Sequence, residues 1–276
     1  MTTAARLGHA YLAKSVHRID SDRIAHGRGP GFLRFGLPAE SPDWVTCDTF
    51  LGDPVGFSAW RADLAAWLRE NYGESPDRTV GGYLMSWYLS VPALAAGLLF
   101  HHERRVPSIR PADLAFHRAP DKTDPDGVAL LSPYFVCLPD DPAAGTPEAV
   151  VVADEATLAA VLRGRFRTHA SAFIARFGPQ VRFGNHTLWA AATDALEGGL
   201  WLAGRLSGDE GPAVLDAALV MGDGRPPFTS ASNLRPAAKS DGPTQWTRRR
   251  ESCCFHYLLQ SGGGECSTCP RLSRKC

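Results

Sequence analysis

Apolar residues recur at helical spacing in several separate stretches of the chain. Phe57, Trp60, Leu64, Trp67 and Leu68 fall on one face of a helix. Asp53-Pro54 ahead of them supplies an N-cap and a first-turn proline, and Asn71-Tyr72-Gly73 ends the run. Behind Asp154, the series Leu158, Val161, Leu162, Phe166, His169 and Phe173 predicts a second such helix that stops at Gly178-Pro179. Asn185 is the expected cap of a third, with Leu188, Trp189, Ala192 and Leu196 inward and Gly208 beyond its end. A modest helix over Thr3–Ile19 and a short one over Pro212–Met221, closed by Gly222, complete the helical set. Asp20–Asp53 is rich in Gly and Pro and reads as a loop, whereas Val128–Leu131 and Tyr134–Leu138 are apolar runs that suit short strands. The pattern predicts a mainly α protein. Residues 1–221 form a helical body with a small extended β insertion, 222–247 a Pro/Gly-rich linker, and 248–276 a short C-terminal segment.

The stretch Thr79–Phe100 departs from amphipathic spacing, with no charge over 22 residues. That length can span a bilayer. Gly81, Gly82, Ser86, Ser90, Pro92 and Gly97 lower its hydropathy, and uncharged helices are also what the centre of a helical domain uses. The expectation is a core helix bent at Pro92, with peripheral membrane contact as the alternative. The N-terminus has no continuous apolar run, so no secretory signal is expected.

Composition alone is ordinary: 276 residues, 44% hydrophobic and 21% charged, with 29 basic and 29 acidic side chains. This excludes a disordered chain and a strongly basic nucleic-acid binder. The balance is uneven, however. From Arg235 to Cys276 there are eight basic residues and three acidic ones, so a basic tail follows an acidic body. The seven cysteines are too few, and odd in number, for a disulfide framework. Cys47 and Cys137 stand alone, while Cys253, Cys254, Cys266, Cys269 and Cys276 crowd into the end of the chain.

Cys253-Cys254 is followed by 11 residues and then Cys266-Ser267-Thr268-Cys269-Pro270. A Cys-x-x-Cys turn brings two sulfurs together with backbone N–H groups aimed at them, which fits a metal centre. Ser261-Gly262-Gly263-Gly264 lets the chain fold back, so the two pairs can meet. Structural zinc sites generally use two Cys-x-x-Cys knuckles, whereas adjacent thiolates diverge and suit a cluster that offers two metal atoms. The spacing favours an iron–sulfur cluster, with structural zinc or a redox disulfide set as alternatives.

Cys-Cys, a short Gly-rich spacer and Cys-x-x-Cys together resemble the C-terminal motif of the FhuF-type ferric-siderophore reductases. Arg250 and Ser252 match its lead-in, Phe255-His256-Tyr257 its aromatic follow-up and Gly262-Gly263-Gly264 its spacer. Arg182-Phe183-Gly184-Asn185-His186-Thr187-Leu188-Trp189 is similar to the family's Gly-Asn segment at a helix start. The spacer here is one residue longer than is usual for the family. The resemblance implies a [2Fe-2S] cluster held by Cys253, Cys254, Cys266 and Cys269, and gives no role to Cys276. It implies a cytoplasmic protein, sometimes membrane-associated, that reduces ferric siderophore iron to ferrous iron. The alternatives are a non-enzymatic electron carrier and a zinc-stapled siderophore-binding module.

No Gly-rich dinucleotide fingerprint follows a strand, so the electron is expected from an external donor such as a ferredoxin or flavin reductase. Arg248, Arg249, Arg250, Arg271, Arg274 and Lys275 flank the cysteines, where they would raise a cluster's potential and attract an anionic chelate or an acidic donor. His256 stands close enough to tune a cluster through a hydrogen bond. His101-His102-Glu103 reads as a helix end, His169 as a hydrogen-bonded core residue, and Trp60, Trp67, Trp87 and Trp189 as core.

Overall fold

The computed structural model describes residues 10–25, 32–38, 43–208, 210–239, 242–261 and 264–272. Seven helices are described: α1 (Tyr11–Ala25), α2 (Cys47–Gly52), α3 (Pro54–Tyr72), α4 (Asp77–Glu103), α5 (Glu155–Val181), α6 (Asn185–Ser207) and α7 (Glu210–Met221). The mainly α reading with a small β insertion holds.

Helix α4 is the centre of the molecule. From Val91 to Phe100 every residue is buried, which identifies a core helix enclosed by its neighbours. It is the one described helix long and apolar enough to cross a membrane, and most of its apolar stretch is covered by the rest of the fold. Pro92 lies inside the continuous helix. Helix α6 packs closest to it, at a crossing made of small residues. A Cβ added at Gly199 would stand 2.7 Å from the Ala93 carbonyl, and one at Gly97 2.9 Å from the Gly199 backbone. Larger residues would force the two backbones apart.

The helix ends follow local chemistry in most places. Asp53 caps α3 by accepting from the Val55 amide at 2.9 Å, and Gly73 closes it in the left-handed conformation. Asp154 caps α5 through the Thr157 amide at 2.7 Å. Two ends differ from expectation. Helix α5 runs through Pro179 to Val181, because Phe177 and Val181 are still burying apolar surface there. The cap of α6 is Gly184, so Asn185 is already its first helical residue.

The expected loop Asp20–Asp53 contains more structure than its Gly and Pro content suggests. Helix α1 continues to Ala25, and β1 (Leu33–Phe35), β2 (Trp44–Thr46) and α2 follow. These strands are only three residues long and exist because of their partners. β4 (Leu114–His117) and β5 (Gly127–Leu130) join them in a sheet of order β1-β5-β4-β2, with β1 parallel to β5 and the other pairs antiparallel. β3 (Val106–Pro107), β6 (Phe135–Cys137) and β7 (Ala149–Val151) form a second sheet in that order. The two runs read as strands from sequence are β5 and β6. Within 222–247, β8 (Arg235–Lys239) and β9 (Gly242–Thr247) pair as an antiparallel hairpin.

Candidate iron–sulfur site

The segment after β9 lies against α4 and α6, and two acids of α6 hold it. Asp194 and Glu197 are three residues apart, so they share one face of the helix. The buried Glu197 carboxylate accepts from Arg248 Nη1 at 3.1 Å, Ser232 Oγ at 2.9 Å and the Asn233 amide at 2.6 Å. The buried Asp194 carboxylate accepts from the amides of Glu251 and Ser252 at 2.8 Å each and from Ser252 Oγ at 2.5 Å. Burial pushes the Asp194 carboxyl up, while the Arg248 charge and these donors pull it down; the net direction is upward. Arg248 also donates to the Asp194 carbonyl at 2.8 Å. The chain is therefore fixed residue by residue immediately before Cys253.

On the other side, α4 meets the cysteine pair through Gly82. A Cβ there would stand 3.1 Å from the Cys254 carbonyl oxygen and 3.2 Å from the Phe255 ring. Only glycine allows so close an approach without displacing that backbone. Phe255 itself has φ 58°, a left-handed conformation that costs a bulky residue about 1–2 kcal/mol. Three contacts hold it there. Its ring stacks on Phe183 with centroids 5.3 Å apart, the Arg78 guanidinium lies 5.3 Å from that ring, and its carbonyl accepts from Thr79 Oγ1 at 2.9 Å. This forced turn follows directly on Cys254, and the Phe255 amide points back at Cys253 Sγ, 3.3 Å away.

The Cys-x-x-Cys turn closes with the Cys269 amide donating to the Cys266 carbonyl at 2.9 Å. The Arg250 amide donates to the Thr268 carbonyl at 2.9 Å, joining the two cysteine pairs through the backbone. The Arg250 side chain joins them again: Nη2 donates to Cys254 Sγ at 3.2 Å and to Cys266 Sγ at 2.8 Å. Burial lowers the pKa of this guanidinium, but the Cys254 hydrogen bond and the charges of Cys254, Cys266 and Asp194 outweigh it and raise it overall. Burial also raises the Cys253 thiol, with Cys254 and Cys269 pushing the same way and the Phe255 amide opposing.

All four of these cysteines are free thiols, with Cys269 the most buried. Among the described residues, no three His, Cys, Asp or Glu side chains converge on a single point as a closed chelate. Arg250 stands between Cys254 and Cys266 instead. The donor set fits an iron–sulfur cluster: soft thiol ligands on one short segment, with N–H groups of Arg250 and Phe255 aimed at the sulfurs. Cys276 and the glycines Gly262 and Gly263 lie outside the described residues. Cys47 and Cys137 are core thiols, and burial pushes Cys47 up to about 12.

Cys254 and Cys266 line an open cleft of about 360 Å³ with Tyr83, Ser86, Trp87, Arg250, His256 and Thr268. Cys253 and Cys254 also line a small adjoining pocket with Gly82, Met85 and Phe183. His256 Nδ1 is 2.5 Å from Tyr83 Oη, and the two rings stack at 6.2 Å. Nδ1 of His256 is thus engaged by a phenol of α4.

Two further readings change. Arg248 and Arg250 are not part of a solvated basic face: they are turned onto Glu197 and the cysteine sulfurs respectively. Arg249 stays exposed and donates to the Pro270 carbonyl. Trp87 is only half-buried and faces the cleft. His169, by contrast, is the expected core residue, bonded to the Ile109 carbonyl at 2.6 Å and Tyr88 Oη at 3.0 Å. His101 bonds Asp216 at 2.7 Å at the end of α4. Asp194 and Glu197 were not singled out from sequence. Both acids fall on the side of the predicted helix away from Leu188, Ala192 and Leu196, which reads as solvent-facing, so no local signal marked them as buried acceptors.

Residues 250–271 match the family model described as the FhuF 2Fe-2S C-terminal domain. The match begins at Arg250 and includes Cys253, Cys254, Cys266 and Cys269. It assigns a 2Fe-2S cluster to this segment and bears out the FhuF-type resemblance. No curated protein matches the chain.

Proposed function

We propose that this chain, whose C-terminal segment is of the FhuF 2Fe-2S type, reduces ferric siderophores. The observation that carries the reading is the coincidence of the 250–271 match with an open cleft at Cys254 and Cys266. Cys253, Cys254, Cys266 and Cys269 are the ligands in this proposal. When bound, the cluster supplies a one-electron couple, for which protein-bound examples run from roughly −700 to +450 mV.

The reaction balances as a single electron transfer. An external one-electron donor, a ferredoxin or a flavin reductase, reduces the protein. Ferric iron in the chelate then takes that electron and becomes ferrous, and the protein returns to its oxidised form. Siderophores hold ferric iron through hard anionic oxygens, and the larger, less charged ferrous ion is held weakly by the same atoms. The metal is therefore released, in this reading into the cytoplasm. The chain's own residues set the driving force. Arg250 donates to two ligand sulfurs and places positive charge beside them, which favours the reduced state. Each ~59 mV of potential changes a one-electron equilibrium tenfold.

The test is a single turnover. Dithionite-reduced protein, freed of excess reductant under anaerobic conditions, is mixed with a ferric siderophore and a ferrous trap. The reduced-cluster spectrum should vanish as the trap develops colour in equal amount. If neither signal changes with a trihydroxamate or a tricatecholate complex, the protein is not this reductase.

A further inference from the structure

Helix α4 is buried on nearly every side, yet close to the cysteines it keeps one stripe facing outward. Tyr83, Ser86, Trp87 and Ser90 are spaced three and four residues apart. Ser86 is exposed and the other three are half-buried, while Leu84, Met85, Tyr88 and Leu89 between them are buried. Two clefts lie over this stripe and share Ser86, Trp87 and Arg250. One, of about 360 Å³, ends at Cys254 and Cys266. The other, of about 320 Å³, continues away from them between α6 and the loop carrying Asp124 and Pro125. That loop is anchored, because Trp60 Nε1 donates to the Thr123 carbonyl at 2.6 Å. The result is one groove with a fixed far wall, leading to the sulfurs.

The composition of the groove suits a bulky coordination complex. Each of its two parts reaches the size of small-molecule sites, which begin at about 300 Å³. Its α4 floor combines two aromatic rings with two hydroxyls, and its walls carry Arg248, Arg250, Asp124 and Asp194, so it offers packing area with adaptable hydrogen bonding. A chelate shields its iron behind donor atoms, so reduction requires it to lie close against the redox centre. The Tyr83 and Trp87 rings, 5.3 Å apart and tilted by 49°, form a broad surface beside Cys254.

We infer that this groove seats the ferric chelate, with the Trp87 indole as its packing face and Ser86 beneath it. The inference rests on the reductase reading and adds the residues that contact the substrate.

The test measures binding, separately from turnover. Gallium(III) complexes of a trihydroxamate and a tricatecholate chelator cannot be reduced under these conditions and mimic the ferric shape. Each is titrated calorimetrically into oxidised holoprotein. At least one should bind, and Trp87→Ala should weaken it by about tenfold or more, the loss of a central aromatic contact. Ser86→Trp, a change at an exposed position that fills the groove, should weaken it at least as much. Both variants should keep the wild-type visible spectrum, which reports an intact cluster segment. Unchanged Kd in both variants with intact spectra overturns the seat. So does wild-type reduction of the ferric complexes that survives both substitutions at unchanged KM, and that outcome leaves the reductase reading standing. If the wild type neither binds the gallium complexes nor reduces the ferric ones, the reductase reading falls and the seat with it.

Discussion

The Asp194 carboxylate holds Ser252 twice, through its backbone amide at 2.8 Å and its hydroxyl at 2.5 Å, one residue before the first cysteine. A helix in the body of the fold thereby fixes where the cysteine segment begins. Asp194 lies outside the 250–271 match, so the segment borrows its support from the helical body.

Asp194→Ala leaves the Glu251 and Ser252 amides and the Ser252 hydroxyl without their acceptor. Each buried donor left unsatisfied costs about 1–3 kcal/mol. The segment should loosen while the body stays folded. Iron bound per chain should fall severalfold with the far-ultraviolet circular dichroism unchanged. Full iron occupancy in this variant would show that Asp194 does not support the site.

Gly82→Val tests the same support from the opposite side. The new side chain would press on the Cys254 carbonyl and the Phe255 ring, and overpacking of this kind costs about 1–3 kcal/mol. Cluster retention should drop, as the visible absorbance per mole of protein will show, and Gly82→Ala should lie between Val and wild type.

Arg250→Ala removes the cation bonded to Cys254 and Cys266. Loss of positive charge beside the sulfurs destabilises the reduced state. The reduction potential, followed by optical redox titration, should move in the negative direction, and Arg250→Lys should restore part of the shift.

His169 gives a pH dependence remote from the cysteines in sequence. Burial lowers its pKa to about 4, against an ordinary 6.5, with the Ile109 carbonyl opposing the shift. The native state therefore holds it neutral, while the unfolded chain takes up a proton as pH falls below about 6.5. Stability is full above that pH and is lost as pH falls toward 4, by about 3 kcal/mol in total. Urea unfolding of wild type and His169→Gln at pH 7.5 and pH 5 checks this. The wild type should lose more stability between the two pH values than the variant does.

Helices and cysteines were the legible part of the sequence because their signals are local. Asp53 and Asp154 cap the predicted helices, and Cys253, Cys254, Cys266 and Cys269 stand at a recognisable spacing. What was illegible depends on partners distant in the chain. Strands β1 and β2 are three residues long and take their conformation from β5 and β4. The arginines before Cys253 read as free charges that attract an anionic chelate or donor, since nothing nearby in sequence shows that Glu197 waits for Arg248 or that Arg250 reaches across to Cys266. Trp87 has the spacing of a core residue, and only the packing of α4 leaves it facing a cleft.

The most direct measurement is the iron, acid-labile sulfide and zinc content of anaerobically purified protein, taken with its visible spectrum. The account predicts two iron atoms and two sulfides per chain, a coloured protein that bleaches on reduction with dithionite, and loss of both on substitution of Cys254 or Cys266. A colourless protein with stoichiometric zinc, unchanged by dithionite, would contradict it.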